Sequence, residues 1–376
     1  MITSKKKQGT VVGLDIGAGS IAAAEVITNG NVRVGRTGVA PLAPGVTRDG
    51  EIADSDALAS TLKELFAQTK LPREVRVGIS NQRLVVRSIR MPQIDDRKEL
   101  ETAVRFQAQD HIPMPIEQSV LDWQITGQRL GEDGRQMEIV IAAARRDMVS
   151  SVVTALESAG LKPVGIDVAA FGMIRALSDD LSAADLSYAA SYEQRAFGDG
   201  GAGSAVAEVA TPVSASLLCN LGDVTNLAVA RGSTCLFTRM SSFGIEGIAQ
   251  RLAERRALTL EHARQWLLHV GLREPVETID GDPEIVLATR EALAEGASKL
   301  ADEMRLSLEF YGAQEGAVAI DEIVACGPGT AIAGLDDRLQ RDLGYPFRVG
   351  RPQALAHLDD ASAARLTLSY GLGRSE

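Results

Sequence analysis

The sequence predicts a two-lobed α/β protein in which both lobes open with the same β-meander. The chain has 376 residues, 45% of them hydrophobic, which exceeds one typical domain and is sufficient for two cores. Strand-like and helix-like segments alternate along most of its length. The opening order of strand, glycine turn, strand, β-turn and strand recurs past the middle of the chain. We therefore expect two related lobes that face each other across a cleft.

The opening meander begins with a short apolar strand, Thr10 to Ile16, which runs directly into Gly17-Ala18-Gly19. A second apolar segment, Ile21 to Thr28, ends at Asn29-Gly30, the strongest two-residue hairpin signal, and residues 31–38 predict the returning strand. No helix follows the first strand, and this difference separates the opening from a Rossmann or P-loop beginning.

The rest of the first half alternates helices with strands. Apolar residues recur at helical spacing after Ser or Asp starts, and short apolar runs follow them. Gly160 is placed as a helix C-cap, and Pro113 and Pro115 end the preceding helix. The predicted helices span residues 55–70, 95–110 and 147–159, and the predicted strands span residues 75–79, 84–89, 138–143 and 163–167.

The second half repeats the meander. An apolar strand, Ser214 to Leu218, leads into Cys219-Asn220-Leu221-Gly222-Asp223, and Arg231-Gly232 separates the two strands that follow. A buried strand at residues 322–325 runs into a third glycine turn, Cys326-Gly327-Pro328-Gly329-Thr330. Helices are predicted at residues 245–256, 259–270 and 283–311.

Two segments lack this regular pattern. Residues 181–213 are rich in Ser, Ala, Asp and Gly and predict a flexible linker between the halves. Residues 1–10 predict a flexible tail, because no apolar segment and cleavage site of a signal peptide follow the first lysines.

Composition argues against several classes of function. A net charge of −11 disfavours binding to nucleic acid or to anionic lipid. The three cysteines are widely spaced and predict core residues of a reducing compartment, and the four histidines show no metal-binding spacing. No uncharged apolar run approaches the ~20 residues that a membrane-spanning helix needs. We expect a cytoplasmic protein that reaches the membrane only through partners.

The three glycine turns are predicted to face the same cleft. Glycine lets backbone N–H groups approach phosphate oxygens without an obstructing side chain. Asp15, at the end of the first strand, is placed to hold a hydrated Mg²⁺ ion, which needs only one or two carboxylates. The candidate nucleotide-binding residues are Asp15, Gly17, Ala18, Gly19 and Ser20 in the first turn, Asn220, Leu221, Gly222, Asp223 and Thr225 in the second, and Gly327, Pro328 and Gly329 in the third.

Several segments together resemble a known family over most of the chain. The most specific is the middle module, in which Arg90-Met91-Pro92 precedes a helix that ends in Gln109-Asp110-His111-Ile112-Pro113. With these segments the chain resembles the type IV pilus assembly protein M (PilM) family, within the superfamily of actin, sugar kinases and heat-shock-70 ATPases. The other segments are Gly13-Leu14-Asp15-Ile16-Gly17, Asn220-Leu221-Gly222, Phe237-Thr238-Arg239, Arg305 to Tyr311, Gly327-Pro328-Gly329 and Tyr370-Gly371-Leu372.

The resemblance implies an FtsA-like actin fold, with duplicated ribonuclease H-like lobes around a nucleotide cleft. Residues 11–85 and 147–180 would form the first lobe, residues 86–146 an inserted subdomain on it, and residues 214–376 the second lobe. The family binds ATP or ADP with Mg²⁺ in the cleft. This adds Gly244 and Arg305 to the candidate residues, with Arg305 near the adenine.

The resemblance also implies a protein partner. The family captures the short cytoplasmic N-terminal peptide of PilN, an inner-membrane protein, and so connects the cytoplasmic pilus machinery to the membrane platform. The chain would then lie at the inner face of the cytoplasmic membrane without spanning it. Binding to other pilus proteins and homo-oligomer formation stay open.

The sequence departs from the family pattern at three positions. Ala22 stands where family members usually have a lysine in the strand after the first glycine turn. Asn220 replaces the usual aspartate of the second turn, and an amide carries no charge and cannot act as a base. Pro328 stands where a glycine is common, which removes one backbone donor. ATP hydrolysis is the activity most affected, so we expect a nucleotide-binding adaptor with weak ATPase activity at most.

Two other functions share these turns. A sugar-kinase-type phosphotransferase needs a carboxylate base beside the acceptor hydroxyl, and Asn220 argues against one in the second turn. A filament-forming protein like FtsA normally ends in an amphipathic membrane-binding helix, whereas residues 363–376 show no such face.

Overall fold

The computed structural model describes residues 9–28, 31–131, 134–178, 214–314 and 316–374. Within these ranges, two five-stranded sheets have the same topology. In each sheet, three strands form an antiparallel meander, and two further strands continue the sheet in parallel beside the first meander strand. This repeated topology confirms the duplicated lobes that the recurring turn predicts.

The first sheet has β1 at its centre, in the spatial order β10-β6-β1-β2-β3. Val12 and Leu14 of β1 are completely buried, because helices cover both faces of this strand. A short hairpin, β4 (Thr47–Arg48) and β5 (Glu51–Ile52), follows the meander. The five strands of the sheet are β1 (Thr10–Ile16), β2 (Ser20–Ile27), β3 (Arg33–Pro41), β6 (Glu74–Ile79) and β10 (Lys162–Val168).

The second sheet has β11 at its centre, in the order β13-β12-β11-β14-β15. Leu217 and Cys219 of β11 are completely buried in the core that this sheet shares with the helices of the second half. Its strands are β11 (Ala215–Leu221), β12 (Thr225–Arg231), β13 (Thr234–Ser241), β14 (Ile320–Cys326) and β15 (Phe347–Val349).

A third sheet projects from the first half of the chain. Its three strands are β7 (Val85–Pro92), β8 (Ser119–Gly131) and β9 (Gly134–Arg145), and β9 lies between the other two. Helix α2 packs on one face of this sheet and forms a separate core with it, in which Val104 and Ile139 are completely buried. Strand β8 is therefore an edge strand.

Helices cover the sheets, and aspartates cap several of their N-termini. Asp54, for example, accepts a 2.9 Å hydrogen bond from the backbone N–H of Ala57. The helices are α1 (Ser55–Thr69), α2 (Arg97–His111), α3 (Arg146–Ser158), α4 (described over residues 169–178), α5 (Ile245–Arg256), α6 (Leu260–Val270), α7 (Pro283–Gly312), α8 (Leu335–Leu343) and α9 (Asp360–Gly373).

Helix α9 packs between the two large sheets, although the division implied by the resemblance assigns it to the second lobe. It contacts β1 and β2 of the first sheet and β14 of the second. The contact with β1 is so close that a Cβ atom on Gly13 would lie 1.8 Å from the carbonyl oxygen of Ser369. Ala22 and Ala24 of β2 face the same core, because small side chains permit this approach. The helix thereby ties the two halves together.

The predicted helices and strands agree with the observed ones to within a few residues. Helices α8 and α9, the helical residues 169–178, and strands β4, β5, β8 and β15 were not predicted. The Asn29-Gly30 turn, residues 1–8 of the predicted tail and the linker at residues 181–213 lie outside the described residues. Cys219 and Cys326 are buried, as predicted, whereas Cys235 is half-buried. In the part of the chain that the structure describes, no helix is long and apolar enough to cross a membrane.

Candidate functional site

A cleft with a cavity volume of about 470 Å³ opens where the glycine turns of the two lobes meet. Residues of the turn after β1 and of the turn after β11 both line it, and so do residues of the β4–β5 hairpin. The predicted residues that line it are Asp15, Gly17, Ala18, Ser20, Asn220, Gly222, Asp223 and Pro328.

Asp15 lies half-buried at the bottom of this cleft, where β1 ends. Burial is the main reason that its pKa rises from 3.8 to about 6, and the neighbouring charge of Asp223 raises the pKa further. The positive charge of Arg365 opposes this rise. A carboxylate with a raised pKa gains most from a cation, so Asp15 is electrostatically suited to the Mg²⁺ ion that the sequence predicts there.

The first glycine turn is bound to the second lobe through Asp223. One carboxylate oxygen, Oδ2, accepts hydrogen bonds from the backbone N–H of Ala18 at 2.5 Å and of Gly19 at 3.1 Å. A Cβ atom on Gly17 would lie 2.2 Å from the same oxygen. The donors that Asp223 binds therefore belong to the other lobe. The N–H groups of Ala18 and Gly19 are also the donors that a phosphate bound at this turn would use.

A guanidinium group covers the first turn from outside. Arg264 of α6 would lie 2.3 Å from a Cβ atom on Gly19, so only glycine permits this contact. Its position is fixed by the buried carboxylate of Glu246, which accepts two hydrogen bonds from it, at 2.9 and 2.6 Å. This pairing raises the pKa of Arg264, and the charge of Asp223 contributes to the same shift. Arg264 therefore remains charged beside the turn.

The second turn is held by its own backbone. The backbone N–H of Ile245 donates to the carbonyl of Gly222 at 2.9 Å. Gly244 lies so close to this turn that a Cβ atom on it would lie 2.5 Å from the Gly222 carbonyl oxygen. The Thr225 hydroxyl is buried and donates to the carbonyl of Phe243 at 2.8 Å. Gly244 and Thr225 thus shape the turn and do not line the cleft.

The third turn is built by close contacts with the second. Gly327 has a φ of +90°, and a Cβ atom on it would lie 2.1 Å from Oδ1 of Asn220. A Cβ atom on Gly329 would lie 2.8 Å from the backbone oxygen of Leu221. Both glycines are required by backbone geometry, and only Pro328 of this turn lines the cleft.

The predicted residue Arg305 forms its hydrogen bonds with residues of α7 and α8. It lies on α7 and binds the carboxylate of Asp302 at 2.7 Å and the backbone carbonyl of Asp342 at 2.9 Å. It does not line the cleft, and neither do Gly19, Leu221, Thr225, Gly244, Gly327 and Gly329.

Several residues of the cleft lie outside the predicted glycine turns. Thr47 donates from its hydroxyl to the carbonyl of Gly17 at 3.0 Å and so joins the β4–β5 hairpin to the first turn. Ser80 donates to the side chain of Asn226 across the cleft. Arg365 reaches the cleft from α9. None of these residues belongs to a glycine turn, which was the signal that identified the others.

The carboxylates present fit Mg²⁺ only with a ligand that brings its own oxygens. No group of three or more His, Cys, Asp or Glu side chains able to hold a metal occurs in the described ranges. Asp15 and Asp223, however, are close enough to affect each other's charge. Mg²⁺ commonly takes one or two carboxylates and completes its shell with water and phosphate oxygens. The cleft therefore fits a magnesium–nucleotide complex better than a free ion.

Comparisons with known proteins point to one family. A family model described as type IV pilus assembly protein PilM matches residues 13–369. A chain of a PilM–PilN type IV pilus biogenesis complex is 27% identical, with a TM-score of 0.76, and the match covers 97% of this chain and 98% of that chain.

Two more distant structures share the fold alone. Both are structures of MreB5 of Spiroplasma citri, one with bound AMPPNP and the other with bound ADP. Each is 12% identical with a TM-score of 0.52, and the matches cover 97% and 96% of this chain and 95% and 94% of theirs. The architecture is thus that of the actin-like proteins.

Proposed function

The chain belongs to the type IV pilus assembly protein PilM family, and we propose that it is an actin-like scaffold of pilus assembly that binds a nucleotide and a PilN-like membrane protein. The observation that carries this proposal is the similarity, over nearly the whole chain, to a chain of a PilM–PilN complex. The protein then works in the cytoplasm and is held at the inner face of the membrane by its partner.

The proposed nucleotide is ATP or ADP with Mg²⁺, bound in the cleft between the lobes. Asp15 would hold the ion, and the backbone N–H groups of Ala18 and Gly19 would face the phosphates. A bound Mg²⁺ ion would neutralise phosphate charge beside the carboxylates of Asp15 and Asp223. Arg305 would have to leave Asp302 and Asp342, to which its guanidinium is bound, in order to approach the adenine.

We propose binding without rapid turnover. In the second turn, Asn220 stands where the resemblance places the family's aspartate. It is buried, and its Oδ1 lies 4.0 Å from Sγ of Cys326. Its amide can accept hydrogen bonds or coordinate a metal through oxygen, but it cannot take a proton from an attacking water. The nucleotide would then fix the relative position of the lobes, and the partner would respond to that position.

The peptide of the PilN-like partner is proposed to add to strand β8. This edge strand has backbone groups that an extended peptide can pair with. Two grooves of about 660 and 700 Å³ flank it, and Ile125 exposes 40% of its surface there. The first groove is also lined by Phe171 of α4 and Thr234 of β13. A peptide in it would contact both halves of the chain and so sense their arrangement.

The division of the chain implied by the resemblance remains part of the proposal. Residues 11–85 and 147–180 would act as the first lobe, residues 86–146 as the inserted subdomain and residues 214–376 as the second lobe. Support comes from the separate core of the three-stranded sheet and from the repeated topology of the two large sheets.

Thermal unfolding of the purified protein tests the nucleotide part. A ligand at 100 times its Kd adds about 2.7 kcal/mol of stability, so millimolar MgATP should raise the unfolding midpoint by several degrees. Asp15→Ala should abolish this rise. No rise in the wild-type protein would remove the nucleotide from the proposal and leave a protein-binding scaffold.

Fluorescence anisotropy with a labelled N-terminal peptide of the PilN-like partner tests the peptide part. Ile125→Asp should weaken binding at least tenfold, because a charge would enter the apolar groove beside β8. Leu287→Asp is the matched control, since Leu287 exposes 52% of its surface on α7. Equal affinities for the two variants would place the peptide elsewhere.

The alternative function, a sugar-kinase-type enzyme, is tested separately. Phosphate transfer from ATP to members of a panel of sugars would favour it over the scaffold.

A further inference from the structure

Arg365 brings a positive charge to the floor of the cleft. It lies on α9, half-buried, between the cleft and a shallower groove beside β3. Leu368, one turn further along the same helix, also lines the cleft. Because α9 packs directly on β1 and β2, the position of Arg365 is set by the rigid centre of the fold.

The guanidinium of Arg365 has no hydrogen bond or ion pair with the residues that the structure describes. This contrasts with Arg264 at the opposite side of the first turn, whose guanidinium is bound by Glu246 and Glu261. A guanidinium at a solvent-filled cleft whose donors the protein does not use can bind water or an anion that enters. Arg365 is therefore a free donor that faces the cleft.

The residues around Arg365 leave room for such an anion. Ala22 lies opposite Asp15 in the ladder between β1 and β2, and its methyl group is nearly buried, with 3% exposure. The side chain of β2 at this register position is therefore only a methyl group, and it leaves the space beside Asp15 free. Arg365 approaches the same floor from α9, and its charge reaches Asp15.

The charges of the cleft show why a cation is needed there. Asp15, Asp49 and Asp223 line the cleft without an ion pair to the residues that the structure describes. A polyphosphate that enters therefore meets three carboxylates, and Arg365 offsets only part of their charge. A single bound Mg²⁺ ion does not balance both these carboxylates and the phosphate groups.

We propose that Arg365 is the residue that contacts the phosphate groups of the bound nucleotide, in the absence of a cationic side chain on β2. This inference rests on the proposed nucleotide function and assigns the phosphate contact to a helix of the C-terminal part of the chain. Arginine suits the role because its planar group can donate two parallel hydrogen bonds to phosphate oxygens.

Equilibrium binding of MgATP, MgADP and adenosine to Arg365→Met tests the inference. Methionine keeps an unbranched stem of similar shape and removes the charge. We expect affinity for MgATP and MgADP to fall at least tenfold, with adenosine affinity unchanged, because adenosine has no phosphate. Arg365→Lys should restore part of the loss. Arg231→Met is the matched control, since Arg231 is exposed at the end of β12 and does not line the cleft.

The outcomes separate this inference from the function on which it rests. Equal MgATP affinity for the wild type and Arg365→Met would overturn the role of Arg365 and leave nucleotide binding intact. Parallel loss of MgATP and adenosine binding would assign Arg365 a structural role and also overturn the inference. No binding of any nucleotide by the wild type would overturn both. Thermal unfolding without ligand checks folding, and Arg365→Met should melt no lower than the wild type.

Discussion

In the first lobe, β1 ends in a carboxylate that lines the cleft, whereas the equivalent strand of the second lobe, β11, ends in an amide. Asp15 is the penultimate residue of β1 and Asn220 of β11, so the two occupy the same place in sheets of the same topology. Duplication thus preserved the backbone of both turns but not their chemistry.

Glycine serves different purposes in the two turns. In the first, the Cβ atom missing from Gly17 would meet the side-chain carboxylate of Asp223, which can move. In the second, the Cβ atom missing from Gly244 would meet the backbone oxygens of Gly222 and Asp223, at 2.5 and 2.4 Å. The first turn is therefore held by a side chain that a ligand can displace, and the second is a rigid part of the lobe.

The largest expected effect follows from this rigidity. Gly244→Ala should destabilise the protein by about 3 kcal/mol or more, because backbone atoms of the second turn must move to admit the methyl group. Chemical denaturation of the variant measures this loss. Gly312→Ala at the end of α7 is the control, since nothing lies within 4 Å of its Cβ position, and it should change stability by less than about 1 kcal/mol. Similar losses in the two variants would contradict the comparison.

The next effect tests the acidic residue that distinguishes the first turn. Asp15→Asn gives the first turn the side chain of the second, and it should remove the stabilisation by MgATP. Without nucleotide, the same variant should be more stable than the wild type at neutral pH. The folded protein holds the pKa of Asp15 at about 6, above its ordinary 3.8, because the ionised form is buried. The raised pKa means that protonated Asp15 contributes to the unfolding free energy of the wild type. This contribution is fully present below pH ~4 and is lost as the pH rises through ~6.

The difference in unfolding free energy between Asp15→Asn and the wild type is the quantity to follow with pH. It should be smallest near pH 4 and reach a plateau above pH ~7, with an upper limit of about 3 kcal/mol. A difference that does not change between pH 4 and 7 would show that burial does not disfavour the Asp15 charge. Added Mg²⁺ and ATP should stabilise the wild type alone.

The comparison also separates what sequence can predict from what it cannot. The strand and turn before Gly17, and the repeat of that pattern before Gly222, follow from local β-propensity and glycine chemistry. Helix α5 has the predicted bounds, Ile245–Arg256, because its apolar face repeats at helical spacing. Helix α9 was missed because it is buried on nearly all sides, so its sequence shows no polar face with helical periodicity.

Long-range side-chain contacts are the part of the site that the sequence could not give. Asp223 and Ala18 are separated by 205 positions, and no local pattern connects them. Arg365 belongs to a helix whose place against β2 depends on the packing of Gly13 and Ala24. The glycine turns and the strand ends therefore identified Asp15 and Asp223, which line the cleft, whereas Arg264 and Arg365 emerged only from the packing of the two halves.

The smallest expected effect concerns the contact that joins the two turns. Asp223 binds the N–H groups of Ala18 and Gly19, so a phosphate must displace its carboxylate before it can use those donors. Asp223→Asn keeps the shape but replaces charge-assisted hydrogen bonds with weaker neutral ones. We expect MgATP affinity to rise about fivefold, since the bonds to be broken are weaker by about 1 kcal/mol.

Asp49→Asn distinguishes this competition from a simple change of charge. Asp49 also lines the cleft, and its positive φ of 52° is one that asparagine adopts readily, so this variant removes one negative charge and leaves the first turn unchanged. If MgATP affinity rises in Asp223→Asn but not in Asp49→Asn, then Asp223 competes with phosphate for the N–H groups of the first turn. Weaker binding in Asp223→Asn would reverse the interpretation, because Asp223 would then hold the magnesium–nucleotide complex together with Asp15, and the two turns would share the ligand between them.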